Sequence, residues 1–213
     1  MTPQDASAYA REICGMAPVI PVIVVHDVAH AVPLAEALVR GGLPVLEVTL
    51  RTPAALDVIR AMAGVEGGVV GAGTLITPKD VADAKAAGAL FGVSPGITDE
   101  LLEACEAADL PLLGGVATVS EAMRMLARGY SVCKFFPAEA NGGVPALKSF
   151  AGPLPQMSFC PTGGVSPKNA RDYLALPNVL CVGGSWPVDP KLLAAGAWSE
   201  VELLARDASG LRG

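Results

Sequence analysis

Charged residues are scarce in this chain: Asp, Glu, Lys and Arg make up 17% of its 213 residues, and the formal net charge is -6. This balance provides no basic face for the backbone of a nucleic acid, although a local cationic pocket can still bind a small anion. We therefore expect a small-molecule substrate and no nucleic-acid partner.

Paired cysteine motifs and long apolar runs are missing as well. The five cysteines form no C-x-x-C pair, which favours reduced core thiols over a disulfide framework. No apolar run approaches the roughly 18 to 20 residues that span a bilayer. The first residues (TPQDASAYAREI) also differ from a basic export signal. These features predict a cytoplasmic protein with no membrane partner.

Apolar residues are abundant, at 52% of the chain, which is enough for one sizeable core. We predict a single domain over residues 1–213. Eight continuous apolar runs bounded by turn residues are typical of parallel strands covered on both faces. The runs are 19–25, 45–50, 67–73, 89–96, 110–115, 131–137, 158–164 and 179–185.

The spacing of these runs indicates the architecture. Strands start about every 20 to 27 residues, and helical patterns, several opening with Thr-Pro, lie between them. This alternation predicts an α/β protein, a (β/α)₈ TIM barrel with an extra N-terminal helix that caps the amino end. An open doubly wound sheet is the alternative, but no G-x-G-x-x-G motif follows the first run.

Lys134 is the only one of six lysines placed in the middle of an apolar run. Burying an unpaired ammonium is costly, and apolar surroundings favour the uncharged, nucleophilic amine. A nucleophilic lysine is therefore the main interpretation. The alternative is a structural ion pair with Glu47, the only acidic residue inside a predicted strand.

Side-chain alternation along strands predicts which residues share a face. Glu47 and Arg51 point to the same side of their strand, with Arg51 two steps closer to the carboxyl end, where barrel enzymes hold their active sites. A guanidinium there suits a carboxylate, although Arg51 also fits a solvated helix start. The same parity directs Lys134 and Phe136 inward and leaves Cys133 to pack against helices.

Glycine-rich turns follow the seventh and eighth predicted strands, the usual phosphate site of such barrels. Candidate phosphate-binding residues there are Gly163, Gly164, Gly183, Gly184 and Ser185, and a simple tight turn is the alternative for each glycine pair.

Two further turns lie at the carboxyl end of the predicted barrel. Gly73 and Thr74 in GAGT are candidates for the anion site of Arg51, and Pro95 is a candidate for the pocket lining. His26 and His30 have metal-ligand spacing but no accompanying carboxylate motif, so no metal is expected.

Six ordered segments, LEVTLRT, GAGT, FGVSPG, CKFFPAE, FCPTGG and VGGSW, resemble the 2-keto-3-deoxy-6-phosphogluconate (KDPG) aldolase family, which also cleaves 4-hydroxy-2-oxoglutarate (KHG). The resemblance covers the chain from about residue 18 onward. It implies a class I aldolase with no cofactor, a Schiff base on Lys134 and acid/base chemistry at Glu47. It also implies a homotrimer.

The same resemblance implies a carboxylate site at Arg51 and Thr74 and a phosphate site in the TGG and GGS loops, which adds Thr162 to the candidates. One departure is Gly114, where a proline is expected. Preference for the galactonate epimer of the substrate, a phosphosugar isomerase, a metal-dependent aldolase and a non-covalent phosphosugar-binding barrel remain as alternatives.

Overall fold

The structure, a computed structural model, describes residues 1–212. Its strands are β1 (Val19–Ile23), β2 (Val45–Thr49), β3 (Val69–Gly73), β4 (Phe91–Val93), β5 (Leu112–Leu113), β6 (Gly115–Val116), β7 (Val132–Phe135), β8 (Ser158–Pro161) and β9 (Val182–Gly184). Its α-helices are α1 (Pro3–Met16), α2 (Ala31–Arg40), α3 (Ala55–Met62), α4 (Pro78–Ala86), α5 (Asp99–Ala107), α6 (Val119–Arg128), α7 (Gly143–Ala151), α8 (Ala170–Leu174), α9 (Pro190–Ala194) and α10 (Trp198–Ser209). Each of the eight apolar runs contains a strand, and the fifth is divided at Gly114 into β5 and β6.

All the strand pairs are parallel. Six strands pair in the order β5-β4-β3-β2-β1-β9, and three pair in the order β6-β7-β8. Single parallel bridges join Phe159 to Val179 and Thr162 to Gly183, between the segments of β8 and β9. The protein is thus an α/β fold with a curled parallel sheet, as the alternation of runs and helical patterns predicts.

Apolar side chains pack on both sides of the sheet. The larger cluster lies between strands and helices and includes Val48, Val70 and Phe135. The smaller cluster lies inside the curl and includes Val45 and Val132, the first residues of their strands. Two packed sides explain why the strands are continuously apolar instead of alternating.

Helix α1 packs against the first residues of strands in the curled sheet. It begins with a capping box between Thr2 and Asp5, which satisfies free amides of the first turn. Further along the helix, buried Ala10, Ile13 and Cys14 belong to the cluster inside the curl. The opposite end, where the strands finish, is therefore the end available to a ligand.

A Thr-Pro pair marks the observed start of α4 but not that of α3. Thr77 caps α4, and Pro78 is its first residue, as a Thr-Pro start predicts. Thr52 does not cap α3, because its hydroxyl donates to the carbonyl of Val25 at 2.7 Å and so joins the ends of β2 and β1. Throughout residues 1–212, every helix is too short or too polar to cross a bilayer.

Candidate active site

Lys134, near the carboxyl end of β7, and Glu47, at the middle of β2, meet inside the curled sheet. The distance between Nζ of Lys134 and Oε1 of Glu47 is 3.3 Å, and each side chain is only 4% exposed. Both positions agree with the inward parity predicted from strand alternation. A charged pair this far from water depends on each partner to compensate the other.

Glycines on the neighbouring strand β3 provide the room for this pair. A Cβ atom on Gly73 would lie 2.4 Å from Oε1 of Glu47, closer than nonbonded atoms approach. A Cβ atom on Gly71 would lie equally close to the ring of Phe91, at 2.4 Å. The side of Gly73 that would carry a side chain is thus occupied by the Glu47 carboxylate.

Phe136 connects the pair to the open end of the sheet. Its ring centroid lies 5.2 Å from Nζ of Lys134, within the range of a cation–π contact. Cys133 and Phe135 point the other way, toward the helices, where Phe135 meets Phe150 of α7 edge-on at 5.8 Å. Burial raises the pKa of the Cys133 thiol, which makes it a poor nucleophile.

A cavity of about 320 Å³ opens beyond Phe136. Its walls come from the ends of β1, β2, β7, β8 and β9, and the lining residues are Val22, Val24, Arg51, Phe136, Thr162, Gly163, Gly164, Val165, Gly183, Gly184, Ser185, Val188 and Pro190. Two lining residues, Val22 and Phe136, are neighbours of the buried pair: Val22 pairs in register with Glu47, and Phe136 follows Lys134 by two positions. The pair of Lys134 and Glu47 therefore lies directly beneath this part of the cavity. This lining includes one cationic side chain and, among residues 1–212, no carboxylate, which suits an anionic ligand.

Arg51 projects from the end of β2 at the rim of the cavity. Its Nε donates to the hydroxyl of Thr74 at 3.2 Å, which brings together two residues that the sequence places in one anion site. Thr74 has a φ of 65°, a left-handed conformation that few β-branched residues adopt. Such a constraint at a fixed hydroxyl is typical of functional sites.

Thr74, Gly73 and Pro95 do not line the cavity itself. Pro95 is exposed. Its backbone carbonyl occupies the space that a side chain on residue 115 would need, since a Cβ atom on Gly115 would lie 2.3 Å from that oxygen. The structure therefore places Pro95 near the Lys134 strand, because Gly115 pairs in register with Lys134.

Both glycine-rich turns lie in the cavity wall, and close packing requires their glycines. Gly163 and Gly164 have φ values of 98° and 81°, which an L side chain rarely adopts. A Cβ atom on Gly183 would lie 2.2 Å from Oγ1 of Thr162, and one on Gly184 would lie 1.8 Å from the ring of Trp186. The turns thus expose backbone to the cavity in a shape that only glycine permits.

His30 makes an aromatic contact. His30 packs edge-on against Trp198, with ring centroids 5.5 Å apart. Asp27 caps the short helical turn Val28–His30, where its side chain accepts a hydrogen bond from the amide of Ala29. Across residues 1–212, no group of three or more His, Cys, Asp or Glu side chains has an arrangement suited to a metal ion.

Comparison with known proteins decides the family. The family model for KDPG and KHG aldolases matches residues 10–204. The chain belongs to this aldolase family. The KHG/KDPG aldolase of Escherichia coli K12 is 54% identical over 200 residues, covering 93% of this chain and 94% of that protein. The 2-dehydro-3-deoxy-phosphogluconate aldolase of Pseudomonas aeruginosa is 48% identical over 206 residues, covering 96% of this chain and 94% of that one.

Solved structures of KDPG aldolases share the fold. The enzyme of Legionella pneumophila, with pyruvate captured at low pH as a covalent carbinolamine intermediate, is 49% identical with a TM-score of 0.91, covering 94% of this chain and 98% of that one. The Zymomonas mobilis enzyme with 3-phosphoglycerate is 48% identical with a TM-score of 0.89, covering 94% of this chain and 95% of that one.

Sequence reasoning missed one side-chain network at this site. Glu139 and Tyr173 form a hydrogen bond behind the Gly163–Gly164 turn, and Asn169 bonds the carbonyl of Gly164. The three residues come from different segments, and none has a distinctive local pattern. Their contacts become visible only in the fold.

Proposed function

We propose that this protein is a class I aldolase that cleaves 2-dehydro-3-deoxy-6-phosphogluconate to pyruvate and glyceraldehyde 3-phosphate. We also propose cleavage of 4-hydroxy-2-oxoglutarate to pyruvate and glyoxylate. The observation that carries the proposal is the contact between Lys134 and Glu47, 3.3 Å apart and buried beneath a cavity suited to an anion. The activities of its relatives support the same assignment.

Lys134 is the proposed nucleophile. Its uncharged amine, after Glu47 takes its proton, adds to the C2 carbonyl of the keto acid to give a carbinolamine. Glu47 returns that proton to the carbinolamine hydroxyl, which leaves as water, so that a protonated imine forms and Glu47 is again a carboxylate. The imine then withdraws electrons from C3. The carbinolamine captured in the Legionella pneumophila relative supports this first step.

Glu47 is the proposed acid and base. It removes the proton of the C4 hydroxyl while the C3–C4 bond breaks, and the electron pair of that bond forms an enamine as the aldehyde leaves. Glu47 then returns a proton to C3, and water hydrolyses the imine to release pyruvate. The position of its carboxylate next to Nζ of Lys134 places the base near the carbons attached to the imine.

In this proposal the two ends of the substrate are held by residues of the cavity wall and by the neighbouring turns at Thr74 and Pro95. Arg51 and Thr74 bind the carboxylate with the Gly73 backbone, and Phe136 packs against the carbon chain. Pro95 borders the carboxylate end. The phosphate is bound by the two turns, through Thr162, Gly163, Gly164, Gly183, Gly184 and Ser185. Anchoring both ends keeps the scissile bond aligned with the imine.

The proposal also covers the fold that surrounds the site. Residues 1–213 form one domain whose sheet closes into a (β/α)₈ barrel with α1 as an added helix. The bridges at Thr162–Gly183 and Phe159–Val179 support closure between β8 and β9.

We propose a homotrimer from the family resemblance, tested by analytical ultracentrifugation. Five free cysteines support a reducing, cytoplasmic location.

Borohydride trapping tests the chemistry. Reduction with pyruvate present should add one reduced pyruvyl group, and peptide mass spectrometry should locate it on Lys134. Lys134→Ala should remove both the adduct and turnover, while Lys148→Ala, at an exposed position on α7, should retain both. Turnover of the phosphorylated substrate by Lys134→Ala would contradict the proposal. Steady-state kinetics with both phosphorylated epimers and 4-hydroxy-2-oxoglutarate then establish the preference.

A further inference from the structure

A buried tyrosine lies behind the Gly163–Gly164 turn. Tyr173, on α8, has no exposed surface, and its hydroxyl donates a hydrogen bond to Oε1 of Glu139. Burial, together with this bond, raises the pKa of Tyr173, so the phenol stays protonated and remains a donor. The contact joins the segment after β7 to the helix after β8.

Glu139 supports the turn directly through its backbone and its side-chain stem. Its amide donates to the carbonyl of Gly163 at 3.1 Å. A Cβ atom on Gly164 would lie 2.5 Å from Cγ of Glu139 and 2.7 Å from its Cβ. The aliphatic part of the Glu139 side chain therefore packs directly against the Cα atom of Gly164. The backbone of this turn therefore rests on Glu139.

The carboxylate of Glu139 is directed away from the turn. A Cβ atom on Gly143, the first residue of α7, would lie 3.1 Å from both Oε1 of Glu139 and the Tyr173 hydroxyl. The amino end of a helix favours a nearby negative charge. The hydroxyl of Tyr173 and the start of α7 thus fix the direction of a charge that would otherwise repel an anion at Gly164.

Asn169 holds the same turn from its other side. Its side-chain amide donates to the carbonyl of Gly164 at 3.2 Å, and its Oδ1 accepts from the amide of Ser166 at 2.8 Å. With Gly163 and Gly164 in left-handed conformations, the turn is held by contacts at both carbonyls. Release of one contact should let the turn relax.

We propose that Tyr173 and Glu139 are positioning residues that set the shape of the Gly163–Gly164 turn, and with it the affinity for the phosphate end of the substrate. This inference rests on the proposed function, in which that turn binds phosphate. Neither side chain touches the substrate. Their effect should appear with phosphorylated substrate and be small with the unphosphorylated keto acid.

Tyr173→Phe tests the inference because it removes one oxygen and keeps the ring. KM for 2-dehydro-3-deoxy-6-phosphogluconate and Ki for inorganic phosphate should both rise about tenfold, since small displacements at a binding site are costly. For 4-hydroxy-2-oxoglutarate kcat/KM should stay within about twofold, as should kcat for both substrates. Glu139→Gln, which keeps an acceptor oxygen, should have a smaller effect.

Tyr130→Phe is a matched control. Tyr130 is also buried, and its hydroxyl also donates to a glutamate, Glu106, at 3.1 Å, but Glu106 lies on α5, and neither residue packs on the Gly163–Gly164 turn. This variant should lose stability in thermal unfolding without any difference between the two substrates. A similar result for Tyr173→Phe would assign it a purely structural role.

The outcomes separate the inference from the proposed function. If wild-type protein traps pyruvate on Lys134 and Tyr173→Phe changes both substrates equally, or changes neither, the positioning inference is wrong and the aldolase assignment stands. If the wild type traps no pyruvate and cleaves neither substrate, the proposed function itself fails. An unchanged Ki for inorganic phosphate in Tyr173→Phe would also overturn the inference.

Discussion

Lys134 and Glu47 are 87 positions apart in the chain, yet Nζ of one lies 3.3 Å from Oε1 of the other, with both side chains buried. Neither side chain has water to replace a lost partner. A buried pair of this kind is weak support for stability but is very sensitive to the loss of one member. Changes at either residue should therefore affect both chemistry and folding, and the two effects need separate measurements.

Replacement of Glu47 with Gln keeps the shape of the side chain and removes its base. We expect kcat to fall about 10² to 10⁴-fold, the typical contribution of a positioned acid or base. Borohydride should still trap pyruvate on Lys134, more slowly than in wild type. Stopped-flow kinetics and thermal unfolding distinguish lost chemistry from lost structure. An unchanged kcat would exclude Glu47 as the base.

Replacement of Gly73 with Ala tests whether the position of the Glu47 carboxylate matters. The new methyl group would start 2.4 Å from Oε1 of Glu47, so the carboxylate must move. Activity should fall about 100-fold, because misplacement of about 1 Å at a reacting group has effects of this size.

Gly96→Ala is the control for this change, because a Cβ atom there has no neighbour within 4 Å. It should retain wild-type activity. If Gly73→Ala is as active as the control, the side chain of Glu47 has more freedom than its packing indicates.

Arg51 should not be replaceable by Lys. The guanidinium donates to Thr74 through Nε, and its other nitrogens remain available for two parallel hydrogen bonds to a carboxylate. A lysine ammonium lacks this fork. We expect Arg51→Lys to raise KM for pyruvate at least about tenfold, measured by exchange of the C3 protons of pyruvate in deuterated water. Normal KM values in this variant would place the carboxylate elsewhere.

Glu106 should make stability depend on pH on the acidic side. The hydrogen bond from Arg128 is the main cause that lowers its pKa from the ordinary value, and Tyr130 adds a second bond. A depressed carboxyl pKa stabilises the fold above the unfolded-state pKa of about 4.3, and this contribution is lost as the pH falls through the folded-state value.

Glu106→Gln should therefore be less stable than wild type near neutral pH by about 1 kcal/mol, and the difference should shrink as the pH falls from about 5 through the folded-state pKa of Glu106. Urea unfolding at several pH values measures it. A difference that stays constant over that range would mean that packing, and not charge, is responsible.

Much of the fold follows from the sequence because its signals are local. Each apolar run contains a strand, and alternation correctly separates Lys134, which faces Glu47, from Cys133, which packs toward helices. Thr52 shows the limit of local signals: its Thr-Pro pair is typical of a helix start, but a tertiary hydrogen bond to Val25 uses the hydroxyl. The pair of Glu139 and Tyr173, 34 residues apart, depends wholly on how the segment after β7 meets helix α8.

Gly114, the departure from the family pattern, shows how the fold compensates for a missing side chain. A Cβ atom there would lie 2.9 Å from Ile97 and 3.1 Å from Met125, so these two side chains occupy the space. The carbonyl of Gly114 accepts from the amide of Lys134 at 2.9 Å, a backbone contact that does not depend on the residue type. The placement of Lys134 is thus preserved, which sequence comparison alone could not establish.

Helix α1 has a consequence for the order of events in catalysis. Because its apolar side chains fill the amino end of the curled sheet, both fragments of a cleaved substrate must leave through the carboxyl end. In the proposed chemistry the fragment bonded to Lys134 is the deeper one, so the aldehyde departs first and pyruvate last. Product inhibition should follow this sequence, with pyruvate competing against the keto-acid substrate and the aldehyde acting noncompetitively.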